Sequence, residues 1–377
     1  MNTELLKRLV EAHGIAGRED NIREIVIEEM RPLVDELRVD HMGNVIGRKR
    51  GDEQTRLVVM AHMDEIGFLV SHIDKNGFLK VLPVGGWDAR TMMAKRVVVH
   101  GREDLPGLFG IPKPTHVLTD EERKKSLEIK DYYIDLGLPA DKVNELVEVG
   151  DWVTMSQTMQ AVGDMFSCKA MDDRVGVYVM LEALRKARRT SADIYAIATV
   201  QEEVGLRGAA SSAFDVSPTL GLALDVTLAM DTPGVGEHEQ VTRMGQGTAV
   251  KIMDSSAISD PKLVQFTRRL AGKHNIRHQL EILPRGGTDA GGIQRSGRGA
   301  PVITISIPTR YIHSVVEAVH KDDLQSSVDL VAAFLEEAHT FDQNGKQVNG
   351  QTRKAAAEAT KQNGKRATAS RRRTRRG

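Results

Sequence analysis

The chain has 377 residues, of which 40% are hydrophobic, 28% charged and only 4% aromatic. This places it among globular proteins of about two domains, with a core of Val, Ile, Leu, Met and Ala. Its formal net charge of zero hides two regions: from Lys346 to the end there are 11 Lys/Arg and one acid, Glu358, so of the 52 of each sign 41 bases and 51 acids belong to residues 1–345. No apolar run approaches the roughly 18 residues of a membrane span. The N-terminus is amphipathic and lacks a signal peptide's apolar stretch, so a cytoplasmic protein is expected. The single cysteine, Cys168, excludes an internal disulfide, fits a reducing compartment and reads as a buried thiol rather than a nucleophile.

In chain order, Leu5, Leu6, Leu9 and Val10 recur at helical spacing, and a second helix is expected over 19–33 with Ile22, Ile25, Val26, Ile27 and Met30 inward. Residues 36–51 read as strand, turn at Met42-Gly43-Asn44, and strand. RLVVMAHMD is a buried parallel strand ending in polar groups. From residue 68 to 162 short β-like runs alternate with Gly, Pro and Asn turns around a charged, helical TDEERKKSLEI, which predicts an inserted β-rich domain. Beyond it the α/β pattern returns, with helices over 173–187, 261–274 and 322–339. Strands are expected at DIYAIAT, TLGLALDVT, 279–283 and 301–307. The expected fold class is therefore α/β, a mainly parallel central sheet flanked by helices. Its catalytic domain comprises 1–67 plus 163–342, interrupted by 68–162. Residues 343–377 lose all periodicity and read as a disordered basic tail.

Acids and histidines follow five separate strand-like or turn segments: His62 and Asp64, Asp172 and Asp173, Glu202 and Glu203, Asp225, and His313. Singly, a strand-end Asp is usually a helix cap and a lone His structural. Together they converge at the carboxyl ends of an open α/β sheet, where burying so many charges is costly unless a cation neutralises them. Carboxylates and imidazoles without cysteine suit zinc, cobalt or manganese in hydrolysis. Adjacent residues on an extended strand point apart, so both members of Glu202-Glu203 serve one site only if the chain bends there. One can then ligate while the other acts as base. A metal-free glycosidase would have no use for His62 and His313, and a binding protein with a dead site would have no need of an intact acid beside the ligands.

The segments VDHMGNVIG, MAHMDEIGF, GIPKPTH, SCKAMDDRVG, QEEVGLRGA, ALDVT, PRGGTDAGGIQ and IPTRYIHS, spread over residues 39–314, resemble the tetrahedral aminopeptidases, a family of glutamyl, leucyl and deblocking enzymes with some members labelled endoglucanase. The resemblance implies a di-zinc exopeptidase-like fold acting on peptides. It implies two divalent ions, zinc or cobalt with manganese as an alternative: His62 and Asp225 on one, Glu203 and His313 on the other, and Asp172 bridging. Glu202 would be the general base, and Asp64 would orient His62 through its other ring nitrogen. It further implies a cis peptide at Asp172-Asp173, and an inserted domain that forms dimers, six of which build a hollow tetrahedral dodecamer. A related di-metal amide deacylase or carboxypeptidase is the alternative activity. GGTDAGG (286–292) lacks the lysine of a phosphate loop and reads either as a close-approach loop near the active site, with Thr288 and Asp289 supporting the substrate or the ligands, or as a tight turn with no ligand; Arg310 and Tyr311 are expected beside the pocket. The tail has no aromatics between its arginines, so it reads as solvated or in contact with the acidic body, with weak polyanion binding as the third possibility.

Overall fold

The structure, a computed structural model, describes residues 1–51 and 55–341; the basic tail lies outside the described residues. α1 (Thr3–Glu11) is capped by Asn2, whose side chain accepts from the Leu5 N–H, and buries the expected Leu5, Leu6, Leu9 and Val10. α2 (Asp20–Met30) buries Ile22, Val26 and Met30. β1 (Glu36–Val39) and β2 (Val45–Lys49) pair antiparallel across a turn in which Gly43 takes φ 100°. β3 (Arg56–His62) is buried from Leu57 onward, as an interior strand must be.

The chain then leaves the main sheet. β4 (Gly67–Ile73), β5 (Leu79–Val84), β6 (Arg96–His100) and β7 (Asp104–Gly110) lead to a short α3 (Asp120–Lys124). β8 (Tyr133–Asp135), α4 (Ala140–Leu146) and β9 (Trp152–Met155) complete the excursion. The six strands close into a barrel in the order β4-β5-β8-β7-β6-β9. Its alternating inward residues, among them Phe68, Val97, Val99, Phe109, Ile134 and Val153, form a separate core. Within TDEERKKSLEI only the capped first part is helical: Thr119 and Glu122 form a capping box, and Lys125 is already extended. The segment has no apolar stripe to dock, and so short a helix gains little from propensity alone.

β10 (Gln160–Val162) and β11 (Met165–Cys168) form a hairpin that belongs to the large sheet, not the barrel. α5 (Met171–Lys186), β12 (Asp193–Thr199), α6 (Arg207–Val216), β13 (Leu220–Leu228) and β14 (Thr248–Met253) follow. Next come α7 (Pro261–Lys273), β15 (His278–Ile282), α8 (Asp289–Arg295), β16 (Val302–Arg310), β17 (Glu317–His320) and α9 (Lys321–Glu337). The eleven-stranded sheet runs β1-β2-β12-β3-β13-β16-β17-β11-β10, with β14 and β15 branching from β16. Its centre, β12-β3-β13-β16, is parallel; the other neighbours are antiparallel except β14 and β15, which pair parallel.

Helices cover both faces. α6 and α8 pack on the face that presents Val58, Met60 and Ile197, while α5 lies against β3 and β13 with α1 and α9 beside it. GGTDAGG is only partly a loop, because α8 begins at Asp289 and packs its small residues on α6; a Cβ at Gly292 would meet the Ala209 side chain at 2.8 Å. Met1–His339 form one compact unit; of a second, beginning at Thr340, only Thr340 and Phe341 are described.

Candidate metal centre

The parallel register sets His62 of β3 beside Thr199 of β12, so both strands end together. Asp225 lies on β13, and His313 follows β16. The carboxyl ends therefore deliver side chains to one hollow of 630 Å³, whose walls include His62, Asp172, Glu202, Glu203, Asp225 and His313. All of the ligand and base residues expected from the sequence meet there.

The bends that this convergence requires are present. Gln201 takes φ 55°, and the Glu202 carbonyl accepts from the N–H groups of Gly205 (2.8 Å) and Leu206 (2.9 Å), turning the chain just after β12. Asp64 holds that turn: Oδ1 accepts from Glu202 N–H at 3.0 Å and Oδ2 from Glu203 N–H at 3.3 Å. Buried Asn44 ties the same segment to the β1-β2 turn, accepting from Val200 N–H and donating to the Gly208 carbonyl. The Asp172-Asp173 peptide is cis.

Asp172 stands between the histidines. Its Oδ1 lies 3.0 Å from His62 Nε2 and its Oδ2 3.4 Å from His313 Nε2, which in turn is 3.2 Å from Glu203 Oε1. Donor atoms around a tetrahedral ion with bonds of about 2.0–2.2 Å sit about 3.3–3.6 Å apart, close to this spacing. His62 Nδ1 donates to the Asp64 carbonyl oxygen at 3.0 Å, with the Asp64 carboxylate farther away at 3.6 Å. The orienting contact is thus the main chain of Asp64, while its carboxylate fixes Glu202 and Glu203. With its proton on Nδ1, His62 directs Nε2 at Asp172, where it can bind a cation in place of a proton.

Among the described residues, two groups have ligand atoms within 4.8 Å of one another: His62, Asp172 and Glu203, and His62, Asp173 and Asp225. Electrostatics tell the same story. Burial alone would lower His62 and His313, but contact with Asp172 and the nearby Asp64 carboxylate raises His62, and hydrogen bonds to Asp172 and Glu203 raise His313 to about 12. Burial and the neighbouring carboxylates push Asp173, Glu202 and Asp225 well above the ordinary range. Asp173 Oδ2 is buried without a hydrogen-bond partner. A nest of mutually repelling acids with an orphaned oxygen and two carboxylate-facing imidazoles fits divalent cations.

Sequence reasoning missed three supports of the centre; a fourth, Asp289, it placed near the site without a partner. Buried Glu317 accepts from Asp172 N–H (3.0 Å) and His313 N–H (2.7 Å), fixing both sides of the centre; this matters because His313 takes φ 61°. Asp289 lies beneath, where Thr199 Oγ1 donates to it at 2.5 Å. Gly86 of the barrel approaches His313 so closely that a Cβ would sit 3.1 Å from Nδ1. The buried Lys169 Nζ contacts both Glu65 oxygens at 2.8 Å and the Ala12 carbonyl, and Arg174 donates to Leu9 and Ala12 carbonyls, anchoring α1 behind the site. The adjacent glycines of GGW and the acid four residues after His313 were the only sequence signals. Arg310 pairs with Asp231 at 2.9 Å, and the pocket wall is Ile312 rather than Arg310 or Tyr311. Buried Cys168 is pushed up to about 12 by burial, which leaves it an unreactive thiol.

Comparison with known proteins agrees with this geometry. The family model of M42 glutamyl aminopeptidases matches residues 43–330. A lysyl aminopeptidase of Pyrococcus furiosus is 34% identical over 345 residues, covering 90% of this chain and 98% of that protein. An aminopeptidase structure from the archaeon Desulfurococcus kamchatkensis superposes with a TM-score of 0.87 at 42% identity, covering 92% of this chain and 98% of that one. The TET1 peptidase of Pyrococcus horikoshii, which can assemble into a tetrahedron or a large octahedral shell, gives 0.80 at 32% identity, with coverages of 89% and 99%. Among the described residues no helix is long and apolar enough to cross a membrane. The chain belongs to the M42 glutamyl aminopeptidase family of metallopeptidases.

Proposed function

We propose that the protein is an aminopeptidase that removes the first residue of short peptides, using two divalent ions, zinc or cobalt with manganese as the alternative. The observation that carries the reading is Asp172, whose two oxygens face His62 and His313 separately. His62 with Asp225 would hold one ion and Glu203 with His313 the other, with Asp172 shared. Asp173, with its unpartnered oxygen, backs the His62–Asp225 side. Bound there, the ions supply Lewis acidity that brings the pKa of water toward neutrality.

The protein's own groups do the rest. Glu202, in the pocket wall but in neither ligand group, takes the proton of the attacking water and returns it to the departing amine. Burial, which raises its proton affinity, suits it to that task. Asp64 and Glu317 position the ligands and the base through main-chain N–H groups. The acidic surroundings attract the substrate's free ammonium group, which restricts attack to the first peptide bond.

The catalytic part would comprise 1–67 and 163–342 together with β10 at the end of the inserted segment 68–162, whose barrel would form dimers that assemble into a tetrahedral dodecamer. Leu82 and Leu108, on barrel strands β5 and β7, are 62% and 55% exposed, as such a role requires. The reading is tested with a panel of aminoacyl-p-nitroanilides after chelation and re-addition of zinc, cobalt or manganese. Activity should return on free-amine substrates and be absent on their N-acetylated forms. Equal cleavage of the acetylated forms would move the assignment to an amide deacylase.

A further inference from the structure

A second hollow of 880 Å³ adjoins the metal pocket and shares Leu228, Leu283 and Arg285 with it. Its floor is apolar and open. Leu228, Leu280 and Ile282 are 38%, 42% and 55% exposed, and all three line it. Isolated exposed aliphatic side chains need no explanation, but three in one groove that is continuous with a reaction pocket do. Alternation along β15 produces this surface: Leu280 and Ile282 point outward, while Glu281 between them is buried against Lys251 and Thr227. The buried Glu281–Lys251 pair locks the register, so the two side chains cannot swap faces. Arg285, at the junction, is exposed and makes no ion pair among the described residues. Its guanidinium has five donors to offer a passing main chain.

Resting on the aminopeptidase reading, we propose that this groove binds the part of a peptide downstream of its first two residues. Arg285 donates to main-chain carbonyls at the junction, and Leu228, Leu280 and Ile282 take up apolar side chains. The occupant is the substrate's own continuation because the groove opens from the pocket where the first peptide bond would be cut. A peptide held in both hollows must leave the first in the direction of the second. The enzyme then discriminates by length and by downstream apolar character as well as by the first residue.

The test measures kcat/KM of the full-length, metal-loaded enzyme on Leu-Ala and on Leu-Ala-Leu-Leu-Ala. The pentapeptide should be better by about tenfold, mainly through KM, because partly burying two leucines is worth roughly one tenfold step. In Leu280→Asp combined with Ile282→Asp, the pentapeptide-to-dipeptide ratio should fall toward one. N-acetyl-Ala-Leu-Leu-Ala, which cannot present a free amine, should inhibit the parent enzyme competitively toward the pentapeptide and leave the dipeptide rate unaffected; this holds even if the double variant fails to fold. A flat length profile with good dipeptide turnover overturns the groove while leaving the aminopeptidase reading intact. So does a double variant that keeps the ratio but loses its assembly state by light scattering, since the groove would then face another copy. No turnover of either peptide by the parent overturns both.

Discussion

The barrel of β4–β9 and the carboxyl end of the large sheet bury side chains by opposite chemistries. In the barrel Phe68 stacks on Trp87 at 4.7 Å and meets Phe109 edge-on at 5.2 Å, and the polar groups are paired off: His100 lies between Asp104 (2.6 Å) and Thr154 (2.9 Å). Among the described residues, no buried side-chain nitrogen or oxygen of 67–155 lacks a hydrogen-bond partner. In the large-sheet part Asp173 Oδ2, Glu281 Oε2 and Asp289 Oδ1 all lack one. The barrel pairs off its polar groups, whereas the sheet end crowds Asp172, Asp173, Glu202, Glu203 and Asp225 together, an arrangement that fits the metal site proposed above. Stability and function are thereby separated along the chain, which substitutions in either region can expose.

The largest effect is expected at the base. Glu202→Gln should lower kcat by about 10²–10⁴-fold while metal content and melting temperature stay near those of the parent. Near-normal turnover would remove Glu202 from the mechanism. In the barrel, Phe109→Ala should cost about 3–5 kcal/mol of stability by denaturant unfolding and leave kcat per folded, assembled molecule almost unchanged. A parallel loss of kcat would mean that the barrel shapes the site through more than Gly86.

Asp225→Asn should do the reverse of the barrel change. Burial and repulsion from Asp172 push Asp225 up, so removing its charge should stabilise the metal-free protein by about 1–2 kcal/mol. The gain in melting temperature on adding zinc should shrink at the same time. A metal-free variant less stable than the parent would show that the acids are not in conflict.

The smallest effect concerns His13, whose Nδ1 is hydrogen-bonded to Thr154 Oγ1 at 2.8 Å. Burial, helped by Lys169, lowers it from 6.5 to about 4. The unfolded chain therefore binds a proton that the folded one refuses between those values, and stability falls as pH drops from about 6.5 to about 4. His13→Gln should flatten that slope by about 1 kcal/mol, read as melting temperature against pH. An unchanged slope would place the sensitivity in the sheet-end acids.

Much of this contrast was legible in the sequence. Buried strands announce themselves as continuous apolar runs, so β3, β12, β13 and β16 and the polar residues that end them stood out. The bend at Glu202-Glu203 followed from the geometry of adjacent side chains. What stayed hidden depends on distant partners. Glu317 falls in a stretch where the sequence predicts no element, and its role appears only when β17 folds back on β16 and brings it to Asp172 and His313. Gly86 reads as a turn until the barrel docks on the site. β10 falls in the same turn-rich stretch as the barrel strands, and only its pairing with β11 assigns it to the large sheet. The helical start at Asp289 was masked by glycines, whose low propensity is overridden by close packing on α6.

The central claim is that the sheet end holds two divalent ions that peptide hydrolysis requires. Its most direct test is metal content by mass spectrometry, measured alongside leucyl-p-nitroanilide hydrolysis as chelator is titrated into the zinc-loaded protein. The account predicts two ions per chain at full activity and a rate that falls with their removal and returns with zinc or cobalt. Full activity in protein stripped of metal would contradict it.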